Sequence, residues 1–289
     1  MAIFTTGLKT GSYLTKLRTN RNFVAIDADA QNYINRSITA GNTVSASQTT
    51  AIVNLIVALK ANSLWTKIGL LWRPHNATFA GSNICLKHPN TNLQITFTNF
   101  VSGDLTINGL KGNGSNKHAR LNYVPDTYHI ATSTSVSYKL ESAETGNDIA
   151  EFGSNSGSPF IYWQSYPRFT SSGIDFTELY SGNGSAFIST TAYAGSILGR
   201  WSFIRESAPN FQIRRNKSQI TAITNNAQTG TALPTTDLAA WGVFDNSSNA
   251  VGLLSPRRMS EIMLASGLTT AEINTYEDLM NTFATAIGA

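Results

Sequence analysis

Between Asp27 and His75 the apolar residues recur at helical spacing, and past His75 they alternate with polar ones; this change of period constrains the fold more than any other feature. A chain of this kind must bury an apolar helical face against strands that follow it. Asp27 or Asp29 caps a first helix, with Ala30, Tyr33, Ile34 and Ile38 on one face and Gly41 placed as its C′ residue. Ser45 and Gln48 form a capping-box pair for a second helix, whose stripe of Ile52, Leu55, Ile56 and Leu59 is widened by Val53 and Val57. Ser63 is expected to cap a third helix that carries Leu64, Trp65, Ile68, Leu71 and Trp72 and closes at Pro74. Residues 27–75 are thus read as a helical collar.

The stretch 93–100, LQITFTNF, alternates Leu93, Ile95 and Phe97 against Gln94, Thr96 and Thr98, as a half-buried strand does. Similar runs recur from 104–110 to 258–265, separated by clusters of Gly, Asn, Ser and Pro, the pattern of an all-β sandwich or jelly roll over 76–268. The chain closes with a helix in 269–289. Thr269 and Glu272 make its capping box, Leu268 and Ile273 a hydrophobic staple, and Ile273, Tyr276, Leu279, Met280, Phe283 and Ile287 a stripe expected to pack on the collar.

Only 13% of the residues are charged, and Ser, Thr and Asn make up roughly three in ten, a composition typical of secreted or virion β proteins. The lone Cys85 excludes an intrachain disulfide and a Cys-based zinc site. The net charge of +4 is uneven, since Lys9, Lys16, Arg18 and Arg21 all precede the first acid, Asp27. With Phe4, Leu8 and Tyr13 spaced among them and no sustained period, residues 1–26 read as an extended docking arm, nucleic acid being the less favoured partner. No secretory leader and no run long enough to span a membrane are present, so a soluble product without a membrane partner is expected.

The chemistry-bearing residues point away from catalysis. His75, His88, His118 and His129 lie in turns rich in Asn and Pro without a GxSxG or HExxH motif, and are expected to be solvated. Glu141, Glu144, Asp148 and Glu151 straddle a turn, and Asp175 and Glu178 have an odd spacing, so neither set makes the paired acids of a glycosidase. No enzyme is expected, with a glycan hydrolase as the trailing alternative. Asp126, Asp175, Asp245 and Asn246 lack a calcium-loop pattern, and neither metal nor cofactor is expected. The two GNGS segments, Gly112–Ser115 and Gly182–Ser185, read as tight hairpin turns. In SPFIYWQSYPRF, alternation sets Phe160 and Tyr162 on one face and Ile161 and Trp163 on the other, one set more than a single core needs. Trp163, Tyr166 and Arg168, stiffened by Pro167, are therefore the expected contacts for a polar glycan, an oligomer interface being the alternative.

In order along the chain, DADAQ at 27–31, TVSASQ at 43–48, LWTKI at 64–68, GLKGNGS at 109–115 and GLTTAEI at 267–273 resemble a family of bacteriophage proteins with a concanavalin A-like (laminin-G-like) jelly roll. The resemblance covers residues 27–289; Trp201–Arg205 and Trp241–Phe244 look like its later core strands, and Leu71–Pro74 departs from it. It implies a virion surface protein, assembled in the host cytoplasm: a fibre, spike or decoration component whose lectin-like domain attaches to host-surface glycan. A purely structural capsid or tail component is the alternative it leaves open. Other virion proteins are the implied partners, and a homo-oligomer is expected, a trimer first and a pentamer or dimer next.

Overall fold

Helices form where the caps are. The computed structural model describes residues 17–19, 22–24, 26–75, 78–91, 94–144, 149–156, 161–171, 174–183, 187–189, 196–207, 210–222 and 232–289. Asp27 caps α1 (Ala28–Thr39) by accepting from the N–H groups of Asp29 and Ala30, and Gly41, at φ +88°, is its C′ residue. Ser45 and Gln48 close the capping box of α2 (Ala46–Ala61). Two four-residue helices follow, α3 (Leu64–Lys67) and α4 (Pro125–Tyr128). Thr269 and Glu272 cap α5 (Thr270–Ile287).

The strands begin with β1 (Leu17–Thr19), β2 (Asn22–Val24), β3 (Ile68–Trp72), β4 (Thr96–Thr98), β5 (Leu105–Thr106), β6 (Gly109–Lys111), β7 (His118–Arg120), β8 (Thr134–Leu140) and β9 (Phe152–Asn155). They continue with β10 (Ile161–Ser171), β11 (Ile174–Asn183), β12 (Phe187–Ser189), β13 (Gly199–Ser207), β14 (Asn210–Arg215) and β15 (Ser218–Ala222). The last are β16 (Ala239–Ala240), β17 (Val243–Asp245), β18 (Ala250–Gly252) and β19 (Arg258–Ser266). A helix-side sheet has the order β15-β14-β13-β8-β19-β6-β5, with β3 pairing the same edge of β19 as β6. An outer sheet has the order β12-β11-β10-β9-β16-β7-β4, with β17 beside β9 and β18 beside β17. Among the described residues β1 and β2 pair only with each other.

The chain is mainly β, and alternation on the helix-side sheet builds two cores at once. Trp72, Val136, Tyr138, Trp201, Phe203, Ile262 and Leu264 meet Ala119, Phe152, Trp163 and Ala240 of the outer sheet. On the reverse face Ile68, Leu71, Ile204 and Met263 meet Ile52, Leu55 and Ile56 of α2 and Ile273, Tyr276, Met280 and Phe283 of α5. The layers are helices, sheet, sheet.

Several expectations are corrected. The third helix stops at Lys67, Ser63 sits at φ +58° without a side-chain cap, and Ile68–Trp72 is strand β3. Pairing with β19 lets Leu70 and Trp72 enter one core while Ile68 and Leu71 enter the other, so an apolar run that looks helical is a strand buried on both faces. Gly112–Ser115 is no hairpin, because β6 and β7 belong to different sheets and the loop crosses between them. Three histidines are buried rather than solvated: His75, His88 and His129. Glu151, expected in a solvated turn, is fully buried and ion-paired to Arg257; Asp148 lies outside the described residues. Of the arm residues, Phe4, Leu8, Lys9, Tyr13, Lys16 and Arg21 lie outside the described residues, and Arg18 is on β1, opposite Phe23.

Beneath α5 the helix-side sheet carries charge. Glu261 of β19 accepts Nε and Nη2 of Arg200 at 2.9 Å each and the Tyr276 hydroxyl at 2.8 Å, with Arg73 Nη1 at 3.8 Å. Arg200 Nη1 also donates to Asn281 Oδ1 at 2.9 Å, and Ser202 donates to Glu277 Oε1 at 3.1 Å, tying α5 to β13. Burial alone would raise the Glu261 carboxyl; Arg200, then Arg73 and the Tyr276 hydroxyl, reverse this and hold it below the ordinary glutamate value. Glu261→Ala leaves two buried guanidiniums without their carboxylate and is expected to cost about 3–5 kcal/mol in denaturant unfolding. A midpoint equal to the wild type's would show that the network contributes nothing.

His75 accepts or donates at 2.6 Å with the Tyr33 hydroxyl, and His129 at 2.5 Å with that of Tyr123. Burial pushes both imidazoles down to about 4 from 6.5. The unfolded chain therefore binds these protons at higher pH than the folded one, and stability is expected to rise with pH between about 4 and 6.5. Urea midpoints across that window check this, and the slope should shrink in the His75→Asn and His129→Asn double variant; an unchanged slope assigns the acid sensitivity elsewhere.

Candidate functional site

Side chains alternate across β7, so Ala119 enters the core while His118 and Arg120 face outward, opposite Thr98 and Thr96 of β4. What stands beside them is decided by Trp241. β16 runs antiparallel to β9 and β17 runs parallel to the same strand, so the chain reverses between them. Trp241 makes the reversal at φ +57°, a left-handed conformation that costs a bulky residue on the order of 1–3 kcal/mol. Its N–H donates to Glu151 O at 2.8 Å, its carbonyl accepts from the Ser255 N–H at 3.1 Å, and its indole Nε1 donates to Arg257 O at 3.0 Å. Its ring meets Trp72 and Phe100 edge to face, with centroids 5.8 and 5.1 Å apart. These contacts over-determine the strained residue.

The reversal brings Phe244 under Arg120, whose guanidinium carbon lies 3.5 Å from the ring centroid. Asp237 fixes the guanidinium in plane, accepting from Nε at 2.8 Å while its other oxygen accepts from the Tyr123 N–H at 2.7 Å. Burial raises the Asp237 carboxyl above its ordinary value, against the pull of Tyr123 and Arg120. Burial first, and Arg120 second, push the His118 imidazole below its ordinary value, so it is neutral at neutral pH.

The crossing loop forms the next wall. Gly112 passes so near the segment leading into β19 that a Cβ would clash with Ser255 O. Asn113 Oδ1 accepts from the N–H groups of Ser115, Asn116 and Lys117, each at 3.0 Å. Asn99, at φ +60°, donates to Asn116 O at 2.9 Å, and Asn249, at φ +51°, sits in the β17–β18 turn. Asn99, Ser115, Asn116 and Asn249, with His118, Arg120 and Phe244, bound a cleft of about 350 Å³, within the roughly 300–1,000 Å³ of small-ligand sites. Among the described residues its lining has one guanidinium, already paired, and no carboxylate. Amides both donate and accept, which matches hydroxyl groups that do the same.

The expected glycan contacts are not here. Trp163 is 0% exposed; it points into the core against Phe152 and His129, with centroids 5.4 and 5.9 Å away. Tyr166 lies on the other face of β10 but is buried with Ala150 and Val243, its hydroxyl donating to Gln164 Oε1 at 2.6 Å. The physical reason is that the first half of β10 is covered on both faces: the helix-side sheet, with Val136 and Tyr138, lies over Trp163, and Ala150 and Val243 cover Tyr166 on the other side. Arg168 is on β10, and its side chain lies outside the described residues. Arg120 and Phe244 were not singled out from the sequence: the alternation over 117–123 marks Arg120 as outward-facing, but nothing local reveals the ring it meets.

No protein-family model and no curated protein matches the chain in sequence. Solved structures do resemble it. Domain 4 of AbnA, an extracellular GH43 arabinanase of Geobacillus stearothermophilus described in complex with arabinotriose, is 13% identical, with 73% of this chain and 99% of that chain covered and a TM-score of 0.47. A Trypanosoma rangeli sialidase is 12% identical over 79% of this chain and 38% of its own, with a TM-score of 0.48. The botulinum neurotoxin serotype D binding domain is 13% identical over 73% of this chain and 51% of its own, with a TM-score of 0.47. None of these three is a phage protein. The expectation that the chain is not an enzyme is corrected on this finding, because sialidases and a domain of an arabinanase are among the structures it resembles. No helix among the described residues is long and apolar enough to cross a membrane.

Proposed function

We propose that this chain is a glycan-recognition module on a bacteriophage virion, a concanavalin A-like jelly roll that holds host-surface glycan in the Arg120 cleft. One observation carries the reading: Arg120, laid flat on Phe244 and pinned by Asp237, is ringed by the amides of Asn99, Asn116 and Asn249 and by a neutral His118. A preorganised cleft loses little side-chain entropy when a hydroxyl-rich ligand enters. The test is adsorption to host cells and binding to a glycan array by Asn116→Ala and Asn249→Gly, the latter chosen because glycine keeps the left-handed turn. Each is expected to weaken binding by about tenfold, or ~1.4 kcal/mol, without lowering the melting temperature. Unchanged binding by both variants would sink the reading.

A second reading, a purely structural capsid or tail component without a ligand, is favoured by the burial of Trp163 and Tyr166. It takes first place if the cleft variants leave adsorption intact. In either reading residues 1–26 dock the module on other virion proteins, in a homo-oligomer for which a trimer is the first choice. Deleting residues 1–26 is then expected to give a folded protein that no longer joins the particle. Normal assembly of the truncated chain would refute the docking role.

A further inference from the structure

A second hollow, of about 450 Å³, lies at the β4 edge of the outer sheet, walled by Phe79, Asn83, Gln94, Thr96, Phe97 and Asn122. Phe97, opposite Ala119, is on the core side of β4 and Thr96 on the outer side, so the hollow wraps the edge strand. Phe79 and Phe97 are half-buried, with centroids 5.8 Å apart and planes inclined by 31°. Asn83 Oδ1 and Gln94 Oε1 are buried and accept no hydrogen bond. Two unmatched acceptors in one wall favour a ligand that brings donors, because a buried acceptor without a partner is unfavourable. Asn122, at φ +53°, turns its amide toward β4, donating to Gln94 O and, at 3.0 Å, to Thr96 Oγ1. The rings offer an apolar face and the amides offer polar contacts, the combination on which a sugar ring packs with its C–H face down and its hydroxyls at the rim.

The two hollows are neighbours. Thr96, in the wall of the second, is the direct cross-strand partner of Arg120, in the wall of the first. Directly opposed residues of an antiparallel pair point to the same face, with Cβ atoms about 4.5–5.5 Å apart. Thr96 is exposed, and β4 is the last strand of its sheet, so among the described residues no further strand of the sheet lies beyond that edge. Among the described residues the one guanidinium lining the two hollows, that of Arg120, is ion-paired to Asp237.

Resting on the glycan reading above, we propose that these hollows are two subsites of one site for a linear, uncharged oligosaccharide that passes over the Thr96–Arg120 pair and round the β4 edge of the outer sheet. Once one sugar residue is held in the Arg120 cleft, the next is delivered to the Phe79–Phe97 hollow at high effective concentration. Affinity therefore rises steeply with chain length until both hollows are filled, and then levels off.

The experiment is calorimetric titration of the full chain with neutral linear oligosaccharides of glucose, galactose, mannose, rhamnose and N-acetylglucosamine, from disaccharide to hexasaccharide. The best-bound series is expected to gain about tenfold or more in affinity between its shortest and longest members. In Thr96→Trp, which obstructs the path at an exposed position, the ratio of longest to shortest is expected to fall to about one; Gln94→Ala, which removes an acceptor, is expected to lower it in part. Circular dichroism confirms that both variants are folded. Disaccharide binding with no gain in length, or a ratio unmoved by Thr96→Trp, overturns the two-subsite inference and leaves the glycan reading standing. Absence of binding at every length overturns both.

Discussion

The pairing of Glu261 with Arg200 beneath α5 is the interaction on which the arrangement of layers depends. A sheet covered on both faces must place some backbone-adjacent polar groups where water cannot reach, and β8, β13 and β19 do so with Ser137, Ser202, Arg200 and Glu261. Buried charges are tolerated only when paired and hydrogen-bonded. Here the carboxylate takes a bidentate guanidinium and a tyrosine hydroxyl, and the guanidinium reaches on to Asn281 of the helix. Apolar burial between α5 and the sheet is non-directional, whereas this set of bonds fixes how far along β13 and β19 the helix sits.

With one face of the helix-side sheet covered by helices and the other by the outer sheet, an open sheet face is left only to the outer sheet among the described residues. Its central strands are also covered, as the burial of Tyr166 beside Val243 shows. The Arg120 cleft opens at the β4–β7 edge, where strands are short. The Trp241 reversal links this edge to the core: a strained residue held by Trp72, Phe100 and three backbone-directed bonds places Phe244 where Arg120 can lie on it. Rigidity of the cleft is thus inherited from the packing behind it.

Local chemistry was legible wherever it was short-range. Asp27, Ser45 with Gln48, and Thr269 with Glu272 cap the helices they were expected to cap, because a cap is a contact across two or three residues. The stripe on α5 was equally readable, with Ile273, Tyr276, Met280 and Phe283 all buried. Where two cores compete for one segment the reading failed: Ile68–Trp72 is apolar on both sides, and periodicity does not separate such a strand from a helix. The histidines misled for a related reason, since their Asn- and Pro-rich neighbours suggest solvent while Tyr33, Leu121 and Tyr123, remote or folded over them, supply buried partners.

The sequence by itself determined the caps of α1, α2 and α5 and the β character of most of the chain, because each depends on side chains within a few residues of one another. Only the tertiary structure decided which aromatics are core and which line a surface. Trp163 and Tyr166 look exposed when one strand is considered alone and are buried once the helix-side sheet covers one face of β10 and Ala150 and Val243 cover the other. Arg120, Phe244 and Asp237 form one cluster only after β7, the segment before β16 and the reversal at Trp241 meet, and no local pattern encodes a contact between segments so far apart in sequence.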